Sequence, residues 1–283
     1  MPSLLDIRRR IRSVKNTQQL TKAMKTVSAA KLRRAQERIM SARPYAEQLR
    51  KILASLAGNV ENIKHPLLEV RPENRILLVV VTADRGLCGA FNSNLTKIAQ
   101  QFLREHTAAS VGLYPVGRKG RDFFKRRAAP ITCELVNFFT RLDHNHAKEV
   151  SKQLVDLYTK EEVDAVYLIY NEFKSAISQR VAVEQLLPLG QVEVKDEPAR
   201  VEYIYEQPPQ EVFNRLLPRY VEIQVFRALL ESAASEHGAR MAAMDSATRN
   251  AGELVESLTL NMNRVRQAAI TREIIEVVSG AGA

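Results

Sequence analysis

Tryptophan is absent from the 283 residues, and aromatics of all kinds make up only 6%. So little aromatic surface argues against a compact aromatic-rich core and suits long helices, for which Ala, Leu, Arg and Glu are the usual material. Cysteine appears twice, at Cys88 and Cys133, too few for a disulfide framework, which leads us to expect a reducing, cytoplasmic setting. No apolar run approaches the length that crosses a bilayer, and the basic, polar start is unlike a secretory signal. The chain is therefore expected to be soluble, or held at a membrane only by other subunits. Proline is missing from Arg219 to Ala283, and Gly238 and Gly252 stand isolated there. Nothing in that stretch forces a helix to stop.

That long carboxyl-terminal stretch carries a pattern. His237, Met241, Met244, Thr248, Ala251, Val255, Leu258, Met262, Val265 and Ala269 alternate in steps of four and three. This is the 3.5-residue repeat of a coiled-coil seam. A helix over the whole stretch spans roughly 90 Å at 1.5 Å per residue and needs a partner along its length. The first 57 residues supply one. Ile7, Ile11, Val14, Gln18, Thr21, Lys25, Ser28, Leu32, Ala35, Ile39, Ala42, Ala46, Leu49, Leu53 and Leu56 keep the same step, with a polar middle at Gln18, Thr21, Lys25 and Ser28. Pro44 is expected to kink or restart this helix. Two helices rooted in one intervening segment and packed lengthwise must run antiparallel.

The net charge of +10 is unevenly placed. Residues 1–57 hold fourteen Lys or Arg against Asp6, Glu37 and Glu47, while the rest of the chain holds 28 basic and 29 acidic residues. A basic rod calls for an acidic neighbour: nucleic acid, anionic lipid or an acidic protein collar. The basic residues have no interleaved aromatics for base stacking, and no base-reading module is present, which argues against nucleic acid.

Between the rods, residues 58–74 read as a linker, with His65-Pro66 and Arg71-Pro72. Strands are expected at Ile76–Thr82, Val111–Val116, Ile131–Val136, Val163–Tyr170 and Val181–Leu187, and helices at Asn92–Glu105, Arg118–Arg127 and Lys148–Tyr158. That alternation predicts a Rossmann-like α/β domain over 75–208, inserted between helical arms at 1–57 and 209–283.

No constellation for catalysis emerges. Asp84-Arg85-Gly86-Leu87-Cys88-Gly89 follows a strand and precedes a helix, yet it has neither the GxxxxGK[ST] pattern nor the GxGxxG spacing and reads as a tight turn. Asp143-His144-Asn145-His146 lacks a third metal ligand at convincing spacing and reads as a polar loop. Cys88 and Cys133 read as small, partly buried residues, His237 as a packed seam histidine, and Glu273 with Glu276 as a solvated ridge. No enzymatic activity of its own, cofactor or metal is expected. Three readings are left: a non-catalytic stalk, a nucleic-acid-binding protein using the basic helix, and an enzyme with an unrecognised nucleotide site at Asp84–Gly89.

Several motifs, in order along the chain, select the first. Lys15-Asn16-Thr17-Gln18 with Thr21-Lys22-Ala23-Met24, then Ser41-Ala42-Arg43-Pro44-Tyr45, Asp84 to Gly89, Leu186-Leu187-Pro188-Leu189, and Arg266-Gln267-Ala268-Ala269-Ile270-Thr271-Arg272-Glu273 through Glu276 to Gly280-Ala281 are each weak alone. Together they give a chain that, over essentially its full length, resembles the gamma subunit of bacterial-type F-type ATP synthase. The resemblance implies a rotating central stalk inside a ring of alpha and beta subunits, standing with the epsilon subunit on a ring of membrane c subunits. It implies a peripheral position on the cytoplasmic face of the bacterial inner membrane, since the cysteine-bearing insertion and transit peptide of chloroplast relatives are not seen. Arg266 and Gln267 match the pair that meets the beta catch loop. Met24 and Lys25 match the segment facing the beta lever loops, Lys25 standing where many relatives carry an acidic residue. Ile270, Ile274, Ile275, Val277 and Val278 match the apolar bearing. Tyr203 and Tyr205 match the foot near epsilon and the c-ring.

Overall fold

In the computed structural model, which describes residues 3–59, 65–139, 142–175, 178–189 and 209–281, the apolar run after Asn74 becomes strand β1, Arg75–Val81. From Ile76 on, every residue of β1 is buried, so both faces of the sheet are covered. Helix α2, Phe91–Glu105, follows; then β2, Ser110–Val116, α3, Arg118–Lys125, α4, His144–Thr159, β3, Ala165–Phe173, and β4, Gln179–Leu187. The long helices are α1, Leu4–Asn59, and α5, Pro209–Ala281. The chain divides into two compact units, Ala30–Ala239 and Met1–Ala29 with Arg240–Ala283.

In the first of these units the strand order is β2-β1-β3-β4. Strand β1 runs parallel to β2 and β3, and β4 closes the sheet antiparallel to β3. The two-residue period of β1 sorts its side chains into two cores. Ile76, Leu78 and Val80 pack with Phe91, Leu95 and Phe102 of α2 and Phe124 of α3. Leu77, Val79 and Val81 pack with Val150, Leu154 and Tyr158 of α4, Leu217, Val221 and Val225 of α5, and Leu49 and Leu53 of α1. Each such side chain contributes about 1.5–3 kcal/mol on burial. The result is a mixed α/β fold with helices on both faces and a long carboxyl-terminal helix.

The segment expected as a strand over Ile131–Val136 is not one. It touches β2 through only two isolated parallel bridges, Leu113↔Ile131 and Val116↔Leu135. Leu113 N and Gly117 N donate to Pro130 O (2.8 Å) and Leu135 O (2.7 Å), but the position between them is Pro115, which has no N–H to give. A ladder with its middle donor missing does not close into a strand.

Neither proline inside a long helix ends it. Pro44 lies within α1, and Pro218 lies within α5, which begins at Pro209, a full two turns before the proline-free stretch. Pro44 and Met40, whose carbonyl loses its intrahelical donor, are both exposed, so water replaces the missing bond.

Candidate functional site

In the second unit, Met1–Ala29 with Arg240–Ala283, α1 and α5 meet through a polar series. Lys25 Nζ lies 2.6 Å from Asp245 Oδ1, Thr21 Oγ1 lies 2.8 Å from Thr248 Oγ1, and Gln18 Nε2 reaches Thr248 O at 3.5 Å. A Cβ on Gly252 would stand 3.0 Å from Gln18 Nε2, so that glycine gives the amide its room. As numbers fall along α1 they rise along α5, so these segments run antiparallel. Each threonine hydroxyl also reaches a carbonyl of its own helix, Gln18 O at 3.0 Å and Met244 O at 2.7 Å. These contacts satisfy the polar atoms that the seam buries.

Burial follows the expected seam on α5, where Met244 and Ala251 are buried and Thr248, Val255, Leu258, Met262, Val265 and Ala269 are half-buried. On α1, Ile7, Thr21 and Ser28 are buried and Ile11, Val14 and Gln18 half-buried. One position departs. Met24 is half-buried and Lys25 is exposed, so Lys25 flanks the seam and reaches over it to Asp245. An ammonium is better hydrated at the margin than inside a seam. The Lys25 hydrogen bond holds the Asp245 carboxyl below its ordinary value.

Arg266 and Gln267 are exposed, and so are Ile270, Ile274, Ile275, Val277 and Val278. Glu273 and Glu276 are exposed as a solvated ridge. Tyr203 and Tyr205 lie outside the described residues.

The turn after β1 is held by the Asp84 carboxylate. Asp84 Oδ1 accepts from Arg118 N (3.0 Å) and Asn137 N (2.9 Å), and Oδ2 accepts from Phe139 N (3.2 Å). The carboxylate thus ties the turn after β1 to the start of α3 and to the segment around Asn137. Asp143 caps α4, accepting from His144 N at 2.7 Å, and His146 Nδ1 returns a bond from Asp143 N at 3.2 Å. The histidine-rich stretch is therefore a capping box that begins a helix. Among the described residues, no group of three His, Cys, Asp or Glu side chains is placed to hold a metal, and no helix is long and apolar enough to cross a membrane. Cys88 is buried and Cys133 half-buried, and neither is in a disulfide.

Sequence reasoning missed one polar cluster in the Ala30–Ala239 unit. Arg227 Nη2 donates to Glu184 Oε2 (2.9 Å) and to the Tyr170 hydroxyl (3.2 Å), which itself donates to Glu184 Oε1 (2.8 Å). Glu231 lies beside it, its Oε1 3.9 Å from Arg227 Nε. These residues come from β3, β4 and α5, and no local pattern links them. Burial pushes the Glu231 carboxyl up, opposed by Arg227 and assisted by Glu172 and Glu184. A raised folded value means that this group's stabilising contribution is full below its ordinary value of 4.5 and is lost as pH rises through the folded value. Glu231→Gln, which imitates the protonated form, is therefore expected to melt higher than the parent at pH 8, with the gap closing below pH 4.5. Thermal melts across that range check this, and a parent that outlasts the variant at pH 8 contradicts it.

The family model described as ATP synthase matches residues 3–283. A curated relative from Solibacter usitatus (strain Ellin6076), an ATP synthase gamma chain, is 54% identical over 287 residues, covering 100% of this chain and 99% of its own. This chain belongs to the ATP synthase gamma chain family. A second gamma chain, from Geobacter metallireducens (strain ATCC 53774 / DSM 7210 / GS-15), is 51% identical over 283 residues, covering 99% of this chain and 98% of its own. Among solved structures, the central stalk and c-ring of the Tetrahymena thermophila mitochondrial ATP synthase contains a chain 28% identical, with a TM-score of 0.61 over 81% of this chain and 99% of that one. The rotor of the Euglena gracilis mitochondrial enzyme contains one with a TM-score of 0.69 at 19% identity, over 94% of this chain and 98% of that one, a likeness of fold.

Proposed function

We propose that this gamma-family chain is the rotating central stalk of a membrane-attached ATP synthase. It couples ion flow through a c-ring to conformational cycling of the catalytic beta subunits and does no chemistry of its own. The observation that carries the reading is the antiparallel contact series from Lys25–Asp245 through Thr21–Thr248 to Gln18–Gly252. It supports a coiled coil of α1 with α5, and a packed pair resists twisting and bending better than one helix. The arms would be 1–57 and 209–283, with a linker at 58–74 and the α/β domain at 75–208. The partners are the alpha and beta subunits, epsilon and the c-ring, at the cytoplasmic face of a bacterial inner membrane that this chain touches only through them.

Torque also needs unlike faces turned toward like subunits. The basic α1 beside a nearly neutral α5 supplies that asymmetry, and exposed ion pairs of about 0–1 kcal/mol exchange readily at each step. Arg266 and Gln267 would meet the beta catch loop through exposed side chains. Met24 and Lys25 would face the lever loops, with Lys25 sharing its charge with Asp245. Ile270, Ile274, Ile275, Val277 and Val278 would turn in an apolar sleeve, where contact is non-directional and offers little rotational barrier. Tyr203 and Tyr205 would stand in the foot.

Co-expression with alpha and beta subunits of a gamma-deleted bacterial ATP synthase tests the proposal. The expected product is a stoichiometric complex that hydrolyses ATP, and failure to assemble with any such set overturns the assignment. In the whole membrane-attached enzyme, c-ring included, Arg266→Ala with Gln267→Ala is expected to reduce coupled ATP synthesis severalfold while the isolated chain keeps its helicity. An unchanged synthesis rate removes both residues from the contact.

A further inference from the structure

Two carboxyl groups contend for one guanidinium where α5 meets β3 and β4 in the Ala30–Ala239 unit. Arg227 of α5 donates through Nη2 to Glu184 of β4 and to the Tyr170 hydroxyl of β3, while Glu231, one turn further along α5, stands 3.9 Å from its Nε. Glu172 of β3 lies nearby and is held by Lys174. One carboxyl group is thus served and the other is not. Arg227 Nε and Glu231 Oε2 have no hydrogen-bond partner, and neither atom has surface that water reaches. Only a rearrangement of the side chains themselves can satisfy them.

The observed arrangement suits a neutral Glu231, because an ionised oxygen buried without a donor is far less stable than a neutral one. Burial pushes this carboxyl up, Arg227 opposes the effect, Glu172 and Glu184 assist it, and the Phe173 N–H opposes it. The other ionisable groups beside it are Arg43 and Tyr45 of α1 and His144 of α4, which line a cavity with Arg227 and Glu231. The two contenders differ in what they can do without the guanidinium. The Glu184 side chain is 46% exposed and that of Glu231 16%. Water takes up a released Glu184, whereas an ionised Glu231 has no donor but Arg227 for its second oxygen. Closing the 3.9 Å gap to an ordinary hydrogen bond takes about 1 Å of movement. That movement draws Nη2 away from Glu184 and Tyr170.

We propose that Arg227 is a proton-operated clamp: with Glu231 neutral it ties α5 to β3 and β4 through Tyr170 and Glu184, and with Glu231 ionised it turns to Glu231 and releases β4, the strand at one end of the sheet. The clamp does not depend on the chain's role in the stalk. Hydrogen exchange of the full chain tests it, read by mass spectrometry on peptides from β4 between about pH 5 and 9 and corrected for the intrinsic rate at each pH. The expected result is protection of β4 that falls about fivefold as pH rises, the effect of losing one net hydrogen bond, while β2 at the opposite end of the sheet is unchanged. Glu231→Gln is expected to keep the high protection at every pH. His144→Gln is expected to leave the parent profile in place, which separates Glu231 from the neighbouring imidazole. A flat parent profile, a Glu231→Gln profile that still falls with pH, or loss of the slope in His144→Gln would each overturn the proposal. Should Glu231→Gln fail to fold, Glu184→Gln, at a half-exposed side chain, decides in its place. Without that carboxylate the clamp is weak throughout, so protection is expected to be low and flat, and a retained slope overturns the proposal.

Discussion

Gly117→Ala is expected to abolish or nearly abolish folding of the α/β unit. Gly117 sits between β2 and α3 with φ 109° and ψ 144°, a conformation that glycine alone adopts without strain. A Cβ there would lie 2.0 Å from Thr82 O and 2.9 Å from Thr82 Oγ1. The nearer atom is backbone at the end of the central strand, so no side chain can turn aside to relieve the overlap. Thr82 is itself fully buried and doubly committed, its N–H donating to Val116 O at 2.7 Å and its Oγ1 accepting from Gly120 N at 2.8 Å. Moving it would break the junction that sets α3 against the sheet. Backbone strain alone costs about 1–3 kcal/mol, and with the overlap the loss should exceed about 4 kcal/mol. Gly280→Ala is the matched control, since nothing lies within 4 Å of a Cβ there. Urea titration of the two variants should separate them completely. A Gly117→Ala chain with the parent midpoint would mean that the β2–α3 turn is not built as described.

That turn illustrates what local sequence conveys. The apolar runs of β1, β2 and β3 and the 3.6-residue stripes of α2 and α4 are set by residues within a few positions of one another, and they are legible to within a turn or a residue or two. Ile131–Val136 misleads because its own composition is strand-like, whereas its fate is decided on a neighbouring strand by Pro115. The slip of the α1 seam from Lys25 toward Met24 has a similar origin. A heptad template weighs spacing, while the partner helix offers an aspartate at the margin that draws the ammonium out. The stretch Asp143–His146 reads in sequence as a polar loop, and the capping geometry makes it the start of α4. The Arg227 cluster and the cavity beside it were illegible, because β3, β4, α1 and α5 bring them together from positions far apart in the chain. Residue-type signals for partner contact, such as the exposed apolar side chains from Ile270 to Val278, are visible in sequence only as a helical face without an assigned neighbour.

Asp84 separates a structural turn from a ligand loop most sharply. Its carboxylate is mostly buried and gathers three backbone N–H groups, from Arg118, Asn137 and Phe139, which start α3 and hold the segment after the 131–135 bridges. Asp84→Ala leaves all three donors without their acceptor. At about 1–3 kcal/mol for each unsatisfied buried group, and with some relief from entering water, the expected destabilisation is about 3–5 kcal/mol. Asp84→Asn should fall between the parent and Asp84→Ala. Its carbonyl oxygen can keep the pair at Arg118 and Asn137, while its amide nitrogen confronts Phe139 N, another donor. If the carboxylate instead served a ligand at the turn, removing it would change stability little and the parent midpoint would respond to phosphate. Equilibrium unfolding of the three chains, run with and without added phosphate, distinguishes these outcomes. Graded loss of stability in the order parent, Asn, Ala, insensitive to phosphate, is the result expected of a carboxylate whose work is to hold the turn against α3 and the segment around Asn137.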